Sequence, residues 1–149
     1  MDIRKLHKAW ELEAMIQLRI EVFVNEQQVD PNIEIDEYDQ KPETQYIGAF
    51  EGSQLVGVLR VRPVGDDWKL QRIAVDKRYR SKKIGQRLIR FVITAAKNES
   101  VNRLYLHAQI QALGFYLKLG FQVEGEVFDE AAIPHQKVIY PLNEQRSCT

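Results

Sequence analysis

A chain of 149 residues, 44% hydrophobic and 28% charged, is expected to fold as one domain spanning 1–149, with a real core and no staples. Its 21 basic and 21 acidic residues cancel to a formal net charge of +0, which argues against a dedicated nucleic-acid binder. With no apolar run near the roughly 20 residues of a membrane span, no secretory signal at the start and only Cys148 for disulfide or metal chemistry, a soluble cytoplasmic protein is expected.

Residues 2–6 are expected to form a short first strand. From about Lys8 to Asn25, Leu12, Met15, Ile16, Val22 and Phe23 recur at helical spacing and predict one amphipathic helix. Residues 28–44, rich in Asp, Glu, Asn and Pro, read as a loop with room for a short helical turn, its acids solvated. Gln45–Phe50 and Leu55–Arg62 flank Glu51-Gly52-Ser53-Gln54 as the two arms of a hairpin. Trp68–Val75 is a further strand, and Ile84, Leu88, Ile89, Val92, Ala95 and Ala96 give the following helix its apolar stripe. Arg103–Ala108 reads as a strand and Ala112–Leu119 as a short helix stopped at Gly120. Two last strands, near Phe121–Val127 and Lys137–Leu142, bracket a loop containing Ile133-Pro134-His135. Strands alternating with helices in the middle imply a parallel crossover, and the hairpins imply antiparallel pairing. The expected fold is α/β, one mixed, mostly antiparallel sheet of about six to seven strands with helices on both faces.

Between Val75 and the Ile84 helix the chain is strongly basic, with Lys77, Arg78, Arg80, Lys82 and Lys83, then Arg87 and Arg90 on the helix itself. The ordinary reading of such a run is a solvated face. Here the cations gather where a strand ends and a helix begins, the place where open α/β sheets bind ligands. Unpaired N–H groups at a helix start favour phosphate, and Gly85 lets it approach the backbone. Charge and periodicity point to an anion without naming it.

Arg72-Ile73-Ala74-Val75, then Tyr79-Arg80, a short turn, Ile84-Gly85 and an amphipathic helix resemble the acetyl-CoA-binding motif of the GNAT N-acetyltransferases. That family's turn runs Arg or Gln, two residues, Gly, one residue, then Gly or Ala. Arg80, Ser81, Lys82, Lys83, Ile84 and Gly85 fill those places, so Lys83 stands at the first glycine, where a Cβ limits backbone approach or φ. Downstream, Gln109 to Phe121 resembles the second signature, Asn-x-x-Ala-x-x-x-Tyr closing in Gly-Phe, with Gln109 in place of Asn. Glu21–Gln27, Glu34-Ile35-Asp36, Leu106–Gln109 and Ile133-Pro134-His135 resemble the family's bacterial ElaA/YjcF-like branch. The resemblance covers nearly the whole chain. It implies acetyl-CoA (coenzyme A) bound by Ile73, Ala74, Val75, Arg80, Ser81, Lys82, Lys83, Ile84, Gly85, Gln86, Gln109 and Phe115. Main-chain atoms of Ile73 and Val75 would align the pantetheine, and the Val75 N–H would donate to the thioester oxygen. The implied partner is a small-molecule or peptide amine, with no nucleic acid and no membrane, and a homodimer fits the family.

Acetyl transfer to an amine needs a neutral nucleophile, a donor to the carbonyl oxygen and a proton for the departing thiolate. A phenol is protonated at neutral pH, so Tyr116 suits the last role; by spacing alone it would be a core aromatic beside Phe115 and Phe121. The candidates for base and acceptor contacts are Glu26, Glu34, Asp36, His107 and His135. Of these His107 is the preferred catalytic base, because an imidazole ordinarily titrates near neutrality; the other four are assigned to the acceptor. A covalent route through Cys148, in a polar tail, is disfavoured, and three scattered histidines lack metal-ligand spacing. Two alternatives stand beside acetyl transfer. Arg19–Val24, Glu34–Asp39 and Gly57–Pro63 resemble acyl-homoserine-lactone synthases, and the chain could also be a non-catalytic acyl-CoA-binding module.

Overall fold

The computed structural model describes residues 1–142, the side chains at 32 and 33 excepted, so Cys148 lies outside the described residues. Strands β1 (Asp2–Lys5), β2 (Gln45–Glu51), β3 (Gln54–Val64), β4 (Asp67–Val75), β5 (Arg103–Gln109), β6 (Gln122–Glu130) and β7 (Ile133–Pro141) form a seven-stranded sheet in the order β1-β2-β3-β4-β5-β7-β6. The β4–β5 ladder is parallel, while β1–β2, β2–β3, β5–β7 and β6–β7 are antiparallel, the mixed sheet expected from the hairpins and the single crossover. The helices are α1 (Ala9–Arg19), α2 (Pro31–Glu34), α3 (Ile84–Asn98) and α4 (Leu113–Lys118). By its contacts the chain divides into two compact units, Met1–Arg62 with Gln71–Val92, and Pro63–Leu70 with the chain from Ile93 onward.

In the first unit, Leu12, Met15, Ile16, Val22 and Phe23 do face a core, built with Leu18, Tyr46, Phe50, Leu55 and Val58. The helix that carries them is not one α-helix to Asn25. It stays α-helical to Arg19 and widens into a π-helical turn over Ile20–Glu26, where Gln27 N–H reaches Val22 O, five residues back. Branched Ile20, Val22 and Val24 fall in succession there, and branched side chains crowd the preceding turn of an α-helix. At its other end, buried Glu11 accepts the N–H groups of Lys8, the N-cap, and of His7 before it, which ties the chain entering the helix to its first turn. Gly57 in β3 lets α3 lie close, since a Cβ there would stand 2.7 Å from Ile84 Cγ2 and 3.3 Å from Leu88 Cδ1. Ile84, Leu88, Ile89 and Val92 are buried, each worth about 1.5–3 kcal/mol, and they seat the first turns of α3.

In the second unit, β5 alternates strictly. Leu104, Leu106 and Ala108 are buried, while Arg103, Tyr105, His107 and Gln109 are half-exposed on the other face. Gly120 ends α4 at φ 105°, as its place in the sequence predicts, with Phe121 N–H returning to Tyr116 O at 3.1 Å. One expectation fails here: Ile133-Pro134-His135 is not a loop but the start of β7. Pro134 is tolerated because it lies ahead of the stretch paired with β5, which begins at His135. No helix among the described residues is long and apolar enough to cross a membrane.

Candidate functional site

β4 carries the expected motif into the basic turn of the first unit. Within β4, Arg72 sits at φ 55°, a left-handed conformation that is uncommon for a residue other than glycine. Ala74 is buried, and Ile73 and Val75 are half-buried. After Val75, Asp76 caps a 3-10 turn over Lys77–Lys82: its Oδ1 accepts the Arg78 N–H at 2.9 Å, and its own N–H donates to Val56 O at 2.8 Å. The turn closes at Lys83 with φ 60° and ψ 29°. The lysine therefore adopts the left-handed shape that glycine takes freely, at a cost of about 1–2 kcal/mol.

The first i→i−4 bond of α3 runs from Arg87 N–H to Lys83 O at 3.1 Å. The N–H groups of Ile84, Gly85 and Gln86 precede it and have no carbonyl within the helix. Ser81, Lys82 and Lys83 around them are exposed. Lys77, Lys83 and Arg87 make no ion pair among the described residues, so their charge is available to an anion. Arg80 is committed differently. Its Nε donates to Val75 O at 3.0 Å and its guanidinium pairs with Glu26 at 2.8 Å, so two residues expected on opposite substrates hold each other.

Three acids of residues 28–44, Glu34, Asp36 and Asp39, are paired rather than solvated, a correction to the loop reading, while Asp30, Glu37 and Glu43 are exposed as expected. Glu34 is buried between Arg19 Nε at 2.8 Å and Arg72 Nε at 3.1 Å. Asp36 takes Arg60 at 2.7 Å and Arg72 at 3.2 Å. Asp39 takes Arg19 at 2.7 Å, Arg60 at 3.1 Å and the Tyr46 hydroxyl. Three guanidiniums thus face three carboxylates inside the first unit, with Arg19 and Arg60 fully buried. Burial alone would raise Asp39, but hydrogen bonds from Arg19, Tyr46 and the Asp36 N–H outweigh it and hold the carboxyl well below its usual range. Burial and the Asp39 carboxylate together push the Tyr46 phenol up. Glu34 and Asp36, expected on the acceptor, are spent on this network. A signal for it existed: Arg60 interrupts the apolar run from Leu55 to Val61, where a charge must find partners.

In the second unit Tyr116 is buried between Phe115 and Phe121, with ring centroids 5.0 and 5.7 Å away in edge-on geometry. Burial pushes its phenol up to about 12, and no hydrogen bond contributes. The tyrosine is therefore a core aromatic whose phenol is protonated and whose hydroxyl has no hydrogen-bond partner among the described residues. Phe115 is exposed beside it, and the Gln109 side-chain oxygen accepts from Gln111. His107 and His135 converge on one carboxylate, Glu130, which sequence reasoning missed. His107 Nδ1 lies 2.9 Å from Glu130 Oε1, and His135 Nε2 lies 3.7 Å from Oε2.

Residues 11–140 match the family model described as the acetyltransferase (GNAT) domain. The chain belongs to the GNAT acetyltransferase family. It is 36% identical over 130 residues to the N-acetyltransferase YjcF of Bacillus subtilis (strain 168), covering 87% of this chain and 91% of that one. It is 32% identical over 129 residues to protein ElaA of Escherichia coli (strain K12), covering 84% of each. The crystal structure of Escherichia coli ElaA matches with a TM-score of 0.82 at 28% identity, over 93% of this chain and 97% of that chain. An acyl-CoA N-acyltransferase from Pseudomonas aeruginosa matches with a TM-score of 0.82 at 29% identity and the same coverage. As a GNAT protein this chain is an acyltransferase, and the mixed seven-stranded sheet is that family's fold.

Proposed function

We propose that the chain works as one cytoplasmic N-acetyltransferase domain that moves the acetyl group of acetyl-CoA to an amine by direct attack in a ternary complex. The observation that carries this reading is Lys83 held in the glycine-like conformation at the head of α3, with three N–H groups and free cations beside it. Support for a pyrophosphate here comes from Lys83 itself, whose backbone takes the left-handed shape that glycine takes freely and whose side chain adds a charge where glycine has none. The acyl-CoA N-acyltransferase from Pseudomonas aeruginosa, by its name, supports an acyl-CoA donor.

Acetyl-CoA supplies an activated thioester carbonyl when bound. The N–H groups of Ile84, Gly85 and Gln86, with Ser81, Lys82 and Lys83, hold its phosphates, and Arg80 braces the Val75 carbonyl at the strand end. Main-chain atoms of Ile73, Ala74 and Val75 orient the acyl arm, and the Val75 N–H donates to the developing oxyanion. Gln109 and Phe115 complete the cofactor contacts. Tyr116 keeps its proton at every physiological pH because burial raises it, and it gives that proton to the leaving thiolate. His107 Nε2 takes the proton that an acceptor ammonium must lose, and His135 and Glu26 are the further residues assigned to the acceptor.

Arg19, Glu34, Asp36, Asp39 and Arg60, which carry the likeness to lactone synthases, pair with one another, so their presence calls for no lactone chemistry. The variant Tyr116→Phe tests the mechanism. It is expected to leave acetyl-CoA affinity within about twofold and to lower kcat about 100-fold, the scale of a lost general acid. An unchanged kcat would show that the thiolate takes its proton from elsewhere.

A further inference from the structure

β5, β7 and β6 are neighbours in the second unit, and their register brings one set of side chains to a common face. His135 of β7 lies opposite Gln109 of β5 on one side and Phe128 of β6 on the other. His107 is two residues before Gln109 and Glu130 is two residues after Phe128, so both share that face. The Glu130 carboxylate then forks, with Oε1 2.9 Å from His107 Nδ1 and Oε2 3.7 Å from His135 Nε2.

A carboxylate oxygen only accepts, so the proton of a neutral His107 sits on Nδ1 and Nε2 keeps its lone pair. His135 obeys the same rule: its Nδ1 lies 2.7 Å from Ile133 O, which can only accept. The Phe128 ring stands edge-on to His107, with centroids 5.0 Å apart, and restricts its rotation. Lys137 is the cation opposite His107, and it is turned elsewhere. Its Nζ lies 3.1 Å from Glu124 and 4.8 Å over the Tyr105 ring, so it does not neutralise Glu130.

The chain also holds Glu130 in place at a cost. Ala131 and Ala132, the two residues of the β6–β7 turn, have φ of 52° and 62°. Tight hairpin turns need both residues left-handed, which asparagine and glycine supply easily and alanine does not. Strain of that kind persists where the surroundings over-determine it, and it gathers at sites of function.

We propose that Glu130 is the positioning residue for His107. It fixes the Nδ1–H tautomer, leaves Nε2 as the base, and stabilises the imidazolium that forms. The inference rests on His107 being the base of the reaction proposed above. An acceptor ammonium passes one proton to His107 Nε2, and the freed nitrogen pair bonds to the thioester carbon. The C–S bond breaks, and the thiolate takes the Tyr116 proton. The second proton of the new N-acyl nitrogen returns to the Tyr116 phenolate, and His107 releases its proton to water.

The test compares wild type, Glu130→Ala, Glu130→Asp and His107→Ala. Long-range ¹H–¹⁵N spectra read the His107 tautomer in the full chain, and thiol release from acetyl-CoA with 1,4-diaminobutane reads kcat and KM. Wild type should show Nδ1–H. Glu130→Ala should change to Nε2–H, lose at least about tenfold in kcat and keep KM within about twofold. Glu130→Asp should restore both the tautomer and most of kcat, which a purely structural role would not require. Nδ1–H retained in Glu130→Ala overturns the positioning, as does a changed tautomer with kcat intact. His107→Ala with wild-type turnover removes the base itself, a failure of the underlying reading, distinguishable because the tautomer comparison stands independently of it.

Discussion

Replacing Asp39 by Asn removes one charge from the buried network and leaves its shape. Asp39 Oδ1 accepts from Arg19 Nη1 at 2.7 Å, Arg60 Nη1 at 3.1 Å and the Tyr46 hydroxyl, while Oδ2 accepts from Arg19 Nη2 at 3.1 Å and the Asp36 N–H at 3.0 Å. An asparagine can place only one oxygen, so in either orientation its NH₂ faces donors. Three cations would also face two anions in the interior of the first unit. Breaking a buried pair from one side costs about 3–5 kcal/mol, a large share of the total for a domain of this size. Melting temperature should fall by roughly 10 °C, with urea unfolding giving the free energy. The carboxyl is held low in the folded state, so its contribution is present above the unfolded carboxylate range and lost as pH falls below about 4. The variant should therefore lack that part of the acid limb. Asp67→Asn, which breaks a partly exposed pair with Arg103, is the control and should cost under about 1 kcal/mol. A comparably small loss for Asp39→Asn would refute the reasoning.

Gly85→Glu should abolish acetyl-CoA binding in isothermal titration, because it places a carboxylate at the N–H groups proposed to hold phosphate; retained affinity would move the phosphates elsewhere. The pair Ala131→Asn with Ala132→Gly should raise stability by about 1 kcal/mol in chemical denaturation, relieving the left-handed alanines net of the added chain entropy of glycine. Tyr116 is raised by burial to about 12, so wild-type stability should be intact below pH 10 and fall as pH rises toward that value. The loss should be about 2–3 kcal/mol, with a flatter curve for Tyr116→Phe, and parallel curves would show that the phenol is not desolvated.

The basic turn was legible because its parts are neighbours in sequence. Strand, cations and Gly85 lie within a few residues, and the helix stripe from Ile84 marks where the backbone donors are. The conformation of Lys83 was not legible, since a lysine gives no local sign that the turn will hold it left-handed. The burial of Glu34, Asp36 and Asp39 was missed because their arginines come from α1, β3 and β4, and a polar loop looks the same whether solvated or paired. Arg60 amid apolar neighbours was the available clue. Glu130 escaped for a related reason: it meets His107 only through the register of β5, β7 and β6, and a strand misread as a loop at Ile133 hides that register. The π-helical turn over Ile20–Glu26 was not legible because its apolar spacing reads the same as that of a continued α-helix.

The most direct test of acetyl transfer is a screen of primary and secondary amines with acetyl-CoA, following the free thiol of released coenzyme A and the mass of the product. Amine-dependent thiol release, an N-acetylated product and a rate cut about 100-fold in Tyr116→Phe are predicted. Saturable acetyl-CoA binding with no turnover across the panel, or a lactone product from an acyl-carrier-protein donor, would contradict the account.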